Sequence, residues 1–492
     1  MTDQLKAKVI RGVGWSALQN WVIRIISFAI FPVLARLLGP EAYGLIAMAG
    51  IYVAFLEIFS DTSFAASIEQ RQDLEPEHLD SIFWTFAGVG LLLTGVSIAT
   101  APLIARFFGE PELSAVIRWL SLGVMMLMVS GVQTSVLRRD LEMRKLATAN
   151  LVAVIVGGVL GIGMALAGFG VWSLVAQRLA QRAIVLVMVW RASAWAPRLR
   201  ISPRHLRDVS GFGFSVMGNR VLVFLNGQFD RLVLSRTMGK ESLGFYSVAS
   251  RLAQLLIDVL IGGNTQVVIP ALAKLQDDLP RFRTAFDKAC RFTCFLALPV
   301  FAGVSLLAGE VVAVIFGPQW TPSVPAVRIL ALLGFIQALQ YINSAAMLAL
   351  GRANLRLAIQ VVHTVVNVVF FLIAAPYGFV AVAAAYVIRA YLVGPLDFLA
   401  LKRLQVIAFR RTLRAIRAPV VATAIMAAGV YALDAFVADG WSDRGRLLAG
   451  VALGAGLYLG GIALIERRLL GECLELVRYL RPAGAADKAG AR

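Results

Sequence analysis

The sequence predicts an all-α polytopic membrane protein of about fourteen transmembrane helices. Two six-helix lobes form a parallel repeat around a central cavity, and two further helices follow at the C-terminal end. Three observations predict this. Of 492 residues, 59% are hydrophobic and only 15% charged, with a mean hydropathy of +0.77; soluble chains are roughly 45–50% apolar and about 25% charged. Apolar stretches of about 20 residues, the length that crosses a bilayer, recur along the chain. The two halves also resemble each other.

Taken in order, the spans are read at residues 12–38, 43–68, 81–105, 114–137, 147–168, 170–190, 209–235, 245–270, 290–313, 325–350, 355–375, 379–401, 418–438 and 446–466. The first apolar run is too long for the core of a signal peptide and lacks a cleavage motif, so it reads as a retained span. Gly168-Phe169-Gly170 and Pro376-Tyr377-Gly378 leave room only for hairpins. The organisation is therefore an N-lobe over 1–190, a cytoplasmic linker over 191–208 and a C-lobe over 209–401. A basic cytoplasmic linker over 402–417, the last two spans over 418–466 and a cytoplasmic tail over 467–492 follow. The polar stretches 191–208 and 271–289 read as short surface helices, and the Ala/Gly-rich end 482–492 as disordered. Cys290, Cys294 and Cys473, with only His78, His205 and His363, make neither a disulfide framework nor a zinc site.

Charge sets the orientation. The net charge is +18 from 47 Lys and Arg against 29 Asp and Glu. In a soluble protein this would point to nucleic acid. Here 32 of the basic residues fall on the side holding the termini and alternate loops, and six (Arg36, Arg106, Arg236, Lys240, Arg444, Arg446) on the other. The positive-inside rule then puts both termini in the cytoplasm. The loop charges hold topology and touch anionic lipid heads rather than nucleic acid.

The repeat is carried by polar and glycine anchors. Gly12, Gly14 and Ser16 match Gly211, Gly213 and Ser215 at an offset of 199. Arg36, Gly39, Glu41 and Gly44 match Arg236, Gly239, Glu241 and Gly244 at 200. Phe108-Gly109 matches Phe316-Gly317, Arg118 matches Arg328, and Gly170 matches Gly378. All pairs lie on the same predicted side, so the repeat is parallel, a transporter signature with the site between the halves. The last two spans fall outside it.

Nine arginines remain inside spans (Arg24, Arg118, Arg178, Arg182, Arg220, Arg231, Arg251, Arg328 and Arg389), each costing roughly 2.5–3.5 kcal/mol at a helix centre. Arg118, Arg231 and Arg328 lie near span ends and can snorkel to an interface. Arg24, Arg182, Arg220 and Arg389 sit near mid-span and should face a water-filled cavity or a carboxylate, with Arg251 on a third polar stripe. Asn20 and Ser27 share a face with Arg24, and Asn219 and Asn226 repeat that face. Gln337, Gln340, Gln360 and Asn367 add amides. Each alone reads as helix-helix hydrogen bonding; the set reads as a hydrated lumen. Amides and hydroxyls suit sugar, and arginine suits phosphate by charge and fork geometry. Candidates for ion coupling are Asp258, Asp230, Asp61, Glu57 and His363. The acids can equally neutralise neighbouring arginines, and His363 can be a proton site or a packing residue.

These residues resemble a known family. Gly12, Gly14, Trp15 and Ser16, then Ala35-Arg36 with Gly39-Pro40-Glu41 and Tyr43-Gly44, then Gly168, Gly170, Trp172 and Leu174, are similar in order to bacterial polysaccharide exporters. These are the Wzx/TuaB-type lipopolysaccharide and exopolysaccharide flippases of the multidrug/oligosaccharidyl-lipid/polysaccharide superfamily. The resemblance implies a V-shaped central cavity and movement of undecaprenyl-diphosphate-linked oligosaccharide to the periplasmic leaflet. It implies cationic residues on the diphosphate and an H+ or Na+ gradient as drive, with a polysaccharide polymerase or export complex as a possible partner. In related lipid II flippases two extra C-terminal helices make a groove for the lipid tail, a role the last two spans fit. No cofactor, metal or catalytic group is called for. A cation-coupled multidrug exporter is the alternative, disfavoured by the arginine excess. A membrane-embedded glycan polymerase or ligase, an enzyme, is disfavoured by short outer loops.

Overall fold

The computed structural model describes residues 3–60, 76–200, 203–404, 407, 409–436, 440–467, 469 and 471; within these, side chains are described except at 3–18, 20, 60, 76, 203–219, 263–267, 409 and 436. All regular structure among the described residues is helical. Among the described residues, eleven helices are long and apolar enough to cross a membrane, or twelve if a pair bent by 42° near Leu332 is one span. Two of the eleven, Trp21–Phe59 and Arg220–Gly262, run to 39 and 43 residues, about twice the roughly 20 of one crossing. The fourteen-span reading requires each to be divided.

Both are broken where the repeat predicts. In α1 (Asp3–Ser60), Gly39 has φ 68° and ψ 175°. In α6 (Pro203–Ile257), Gly239 has φ 75° and ψ −175°. This left-handed conformation favours glycine and ends a helix. Pro40 then begins the next one with φ already set. The chain folds back at each break: Tyr43 donates its hydroxyl to Phe31 O at 3.3 Å, and Tyr246 donates to Asp230 Oδ2 at 2.6 Å. The other repeat anchors Gly109, Gly170, Gly317 and Gly378 also take positive φ.

Between the breaks lie α2 (Pro76–Phe108), α3 (Glu112–Arg139), α4 (Met143–Leu166) and α5 (Val171–Ala192). The turn from α4 to α5 is the expected hairpin, with φ 82° at Gly168 and 54° at Gly170. Beyond α6 come a π-helical turn Asp258–Gly262, α7 (Gly263–Ala273) and α8 (Leu279–Leu306). α9 (Ala308–Ile315) leads into a 3-10 turn Pro318–Ser323, α10 (Val324–Ala331) and α11 (Leu333–Ala349). The series closes with α12 (Ala353–Ala374), α13 (Phe379–Val393), α14 (Pro395–Arg403), α15 (Phe409–Ala415), α16 (Arg417–Phe436) and α17 (Asp443–Ile465).

Two connectors differ from expectation. The 191–208 linker is not a surface helix: residues 193–200 are irregular and α6 starts at Pro203. It is held as an extended strap, with Arg198 N on Asp80 Oδ1 at 3.0 Å and Trp84 Nε1 on Arg198 O at 2.8 Å. The 271–289 stretch is likewise not a separate helix. Asp278 caps α8 by accepting from Arg281 N at 3.1 Å, so the ninth span begins at Leu279 rather than at 290. A good N-cap sets the start of a helix before its apolar run does.

The chain forms two compact units. One comprises Met1–Leu255, Ile315–Ala326 and Gln360–Arg389; the other comprises Leu256–Val314, Val327–Ile359 and Ala390–Arg492. In the first, Trp320 is fully buried. Its indole Nε1 donates to Ala35 O at 2.9 Å, and Gln319 Nε2 donates to the same carbonyl at 3.0 Å. These donors satisfy carbonyls of the turn before the Gly39 break. Trp320 stands edge-on to Tyr43 and Phe245. Beneath it the two hairpin corners meet. A β-carbon at Gly44 would land on Lys240 O, and one at Gly244 on Pro40 O. Lys240 Nζ lies 3.3 Å from both Glu41 and Glu110. In the second unit, Phe282, Phe286, Cys290 and Cys294 of α8 form an i, i+4 ridge against Ile342, Ala346 and Met347 of α11.

Candidate functional site

Two adjoining cavities open inside the first unit. The first, about 410 Å3, is walled by both hairpins and by α5. The first hairpin supplies Ser27, Tyr43 and Gly50; the second supplies Gln228, Arg231, Ser247 and Arg251. Because the chain reverses at Gly239, Arg231 and Arg251 face one space. From α5 come Gln177, Arg178 and Gln181, neighbours on one helical face. Glycines of α4 let this face lie close. A β-carbon at Gly157 would be 2.5 Å from Gln181 Cγ, and one at Gly161 3.0 Å from Gln177 Cβ. Small residues at membrane helix contacts serve this purpose.

Among the described residues, three guanidinium groups and no carboxylate line this cavity. Arg231 donates to neutral partners, Gln228 Oε1 at 3.3 Å and Ser250 Oγ at 3.4 Å. Arg178 feels the charges of Arg251, Glu57 and Arg231. Arg178 and Arg251 are exposed and Arg231 is half-buried, so water in the cavity screens their mutual repulsion only in part. A bound polyanion offsets that repulsion, and the guanidinium fork matches phosphate oxygens. The glutamines and serines around it are neutral donors and acceptors of the kind that hydroxyls pair with.

The second cavity, about 420 Å3, shares Gly50, Val154, Arg178 and Gln181 with the first and adds Glu57, Asn150 and Arg182. Arg182 Nη2 donates to Glu57 Oε1 at 2.6 Å, and both side chains are more than a third exposed.

Of the residues singled out from sequence, Ser27 and Arg251 line the first cavity, and Arg182 and Glu57 the second. Arg24 and Arg220 are half-buried, and neither is on the wall of these two cavities. Arg389 is only 4% exposed. Its Nη1 lies 3.4 Å from His363 Nδ1, and its guanidinium sits 4.8 Å from the Tyr386 ring centroid. It therefore packs inside the protein. Asn367 is 1% exposed and donates to Asn226 Oδ1 at 2.8 Å, a helix-helix bond. Gln337, Gln340, Gln360 and Asp258 are half-buried. Asp230 accepts from Tyr246. Asp61 and the side chains of Asn20 and Asn219 lie outside the described residues.

Asn367→Leu should cost roughly 0.6 kcal/mol, the average for an interhelical hydrogen bond in a membrane. A small fall in the thermal midpoint of the purified protein would read it. Asn226→Leu in the same chain should add little, because the two changes remove one bond.

Sequence counts Arg178 among the in-span arginines without giving it a role, does not single out Gln177, Gln181, Gln228 or Asn150, and places Arg231 at an interface. Distance from a span end decided that placement, whereas the Gly239 fold decides where Arg231 points. The usable signal was the same-face spacing of Gln177, Arg178 and Gln181 opposite Gly157 and Gly161.

The second unit holds an apolar groove of about 440 Å3 between α8, α16 and α17, lined by Pro299, Leu307, Met426, Val430, Gly450 and Tyr458 among others. The Tyr458 hydroxyl is turned out of it, donating to Phe295 O at 2.8 Å. Glycines bring the walls together: a β-carbon at Gly450 would lie 2.9 Å from Leu307.

The profile of a family described as polysaccharide biosynthesis protein matches residues 33–325. The succinoglycan biosynthesis transport protein ExoT of Rhizobium meliloti (strain 1021) is 30% identical over 99% of this chain and 100% of its own length. The lipopolysaccharide biosynthesis protein WzxC of Escherichia coli (strain K12) is 24% identical over 73% of this chain and 74% of its own. Among solved structures, the lipid II flippase MurJ in an inward closed conformation superposes with a TM-score of 0.77 at 16% identity, covering 92% of this chain and 99% of that one. An inward-facing multidrug resistance MATE family transporter of the MOP superfamily gives 0.63 at 17% identity, covering 78% and 94%. These two likenesses show a common all-helical transporter fold.

Proposed function

The chain belongs to the polysaccharide biosynthesis protein family, and from that premise we propose that it is a flippase for polyprenyl-diphosphate-linked oligosaccharide. It carries the headgroup from the cytoplasmic to the periplasmic leaflet of the bacterial inner membrane, with both termini cytoplasmic. The observation that carries this reading is the first cavity, where Arg178, Arg231 and Arg251 meet with no carboxylate among the described lining residues. Such a wall takes a diphosphate and repels the organic cations of a drug exporter.

The mechanism follows from the parts. The arginines hold the diphosphate while glutamine and serine side chains bond sugar hydroxyls. The polyprenyl tail stays in the apolar phase; in the second unit, taken by itself, the groove of α8, α16 and α17 has the apolar lining that suits a polyprenyl chain. The protein alternates between inward-open and outward-open states. An H+ or Na+ gradient biases the cycle, with Asp230, Asp258 and His363 as the groups that exchange the ion. No catalytic step is needed, because no covalent bond changes.

The test is reconstitution of the full chain in liposomes that contain a fluorescent polyprenyl-diphosphate oligosaccharide in both leaflets. A membrane-impermeant glycosidase then reports how much headgroup is exposed. With the protein and an imposed gradient, inner-leaflet headgroup should become accessible; accessibility equal to that of protein-free liposomes would sink the reading.

A further inference from the structure

The flippase reading leaves the second cavity without a task. We propose that it is a glycan subsite, and that the Arg182–Glu57 pair makes it select uncharged sugars over acidic ones. This rests on the reading of the first cavity as the diphosphate site.

Continuity is the first argument. The two cavities share Gly50, Arg178 and Gln181. Gly50 adds no side chain to this shared wall; a β-carbon there would be in van der Waals contact with Arg178 Nη1 at 3.6 Å. A ligand whose diphosphate is held by Arg178 therefore extends its first sugars into the second space. At about 420 Å3 that space falls in the usual range of small-molecule sites, about 300–1,000 Å3.

The second argument is chemical contrast. The first cavity has three cations and no anion among the described lining residues. The second adds one cation and one anion in contact at 2.6 Å, plus the amide of Asn150. The pair is not sealed in the packing: the side chains are 41% and 37% exposed. A guanidinium carries five donors and a carboxylate about four acceptor positions, more than their mutual contact uses. Sugar hydroxyls, which both donate and accept, can bond the pair without disturbing it.

A uronic acid meets the same pair differently. Its carboxylate either competes with Glu57 for Arg182 or bonds another edge of the guanidinium and then lies close to the Glu57 charge. Placing like charges together is how a site rejects a wrong partner. Small wall residues such as Ala54 and Gly123 leave room for the sugar ring itself.

The experiment measures binding of three probes to the full chain in nanodiscs: farnesyl diphosphate, a farnesyl-diphosphate-linked neutral disaccharide, and the same disaccharide with glucuronic acid as its outer sugar. The native chain should bind the neutral disaccharide at least tenfold tighter than either other probe. Glu57→Gln should tighten the glucuronate probe at least tenfold, with farnesyl diphosphate affinity as the control. The double change Glu57→Gln with Arg182→Gln should leave the two disaccharides within twofold. An unchanged neutral-to-acidic ratio in Glu57→Gln, with farnesyl diphosphate still bound, would overturn the subsite and leave the flippase reading standing. If Glu57→Gln fails to accumulate, Ala54→Leu decides. It fills only the second cavity and should reduce the sugar-dependent gain to less than twofold; a full gain would overturn the subsite. Failure of the native chain to bind farnesyl diphosphate would remove both readings.

Discussion

Arg178→Ala is expected to weaken binding of a polyprenyl diphosphate about 10- to 100-fold, the worth of one lost charge-assisted hydrogen bond of roughly 1.5–3 kcal/mol. Of the three arginines it is the one common to both cavities, so headgroup movement in liposomes should fall with it. Arg178→Lys should rescue only part of the loss, because an ammonium lacks the planar fork. Stability should move the other way. Removing one of three neighbouring cations relieves repulsion, so the thermal midpoint of the ligand-free protein should hold or rise. A residue that merely supports the fold would lose both together. That opposition is what a site that trades stability for function produces. A fall in midpoint without any loss of diphosphate binding would remove Arg178 from the site.

Gly44→Ala and Gly244→Ala should each destabilise the protein by about 3 kcal/mol, at the upper end of what overpacking costs. The β-carbon alone makes the clash, and it meets backbone carbonyls rather than a side-chain end that could swing aside. Alanine should therefore do nearly as much harm as valine, which is unusual for a core position. Gly88→Ala is the comparison, since nothing lies within 4 Å of a β-carbon there, and alanine favours the helix. Thermal unfolding of the purified variants reads the difference. The double change should cost clearly less than the sum, because once one corner is pushed away the other has nothing left to strike. Additive losses would mean the two contacts are independent.

Much of the architecture was legible because bilayer solvent imposes a simple rule: every backbone group must be paired within its own segment, so long apolar runs become helices. The repeat was legible through glycines, since Gly39 and Gly239 occupy a conformation few other residues tolerate. The site was legible in kind, as arginine among amides, but only partly by residue. Arg251, Arg182 and Ser27, named from the sequence, line the two cavities. Arg389 and Asn367 read as lumen but face protein, because composition does not fix the rotation of a helix about its axis. His363 and Tyr386 draw Arg389 inward, and Asn226 does the same for Asn367. Arg178 was passed over because its cavity depends on how closely α4 lets α5 approach, a property of glycines on another helix. The strap over residues 193–200 was misread as a helix, since its hydrogen bonds go to Asp80 and Trp84, far away in sequence.

The reciprocal contact of the two corners has the form of a subunit interface. Gly44 meets the chain at Lys240 and Gly244 meets it at Pro40, so patch i touches patch j and patch j touches patch i, as in a two-fold dimer. In a true dimer any substitution appears on both sides of the axis at once. Fused in one polypeptide, the two copies are free to diverge, and at this contact they have: one carries a proline and the other a lysine. The lysine holds Glu41 and Glu110 from one side only. The joint thus has a symmetric backbone and an asymmetric fastening, which no pair of identical subunits could adopt.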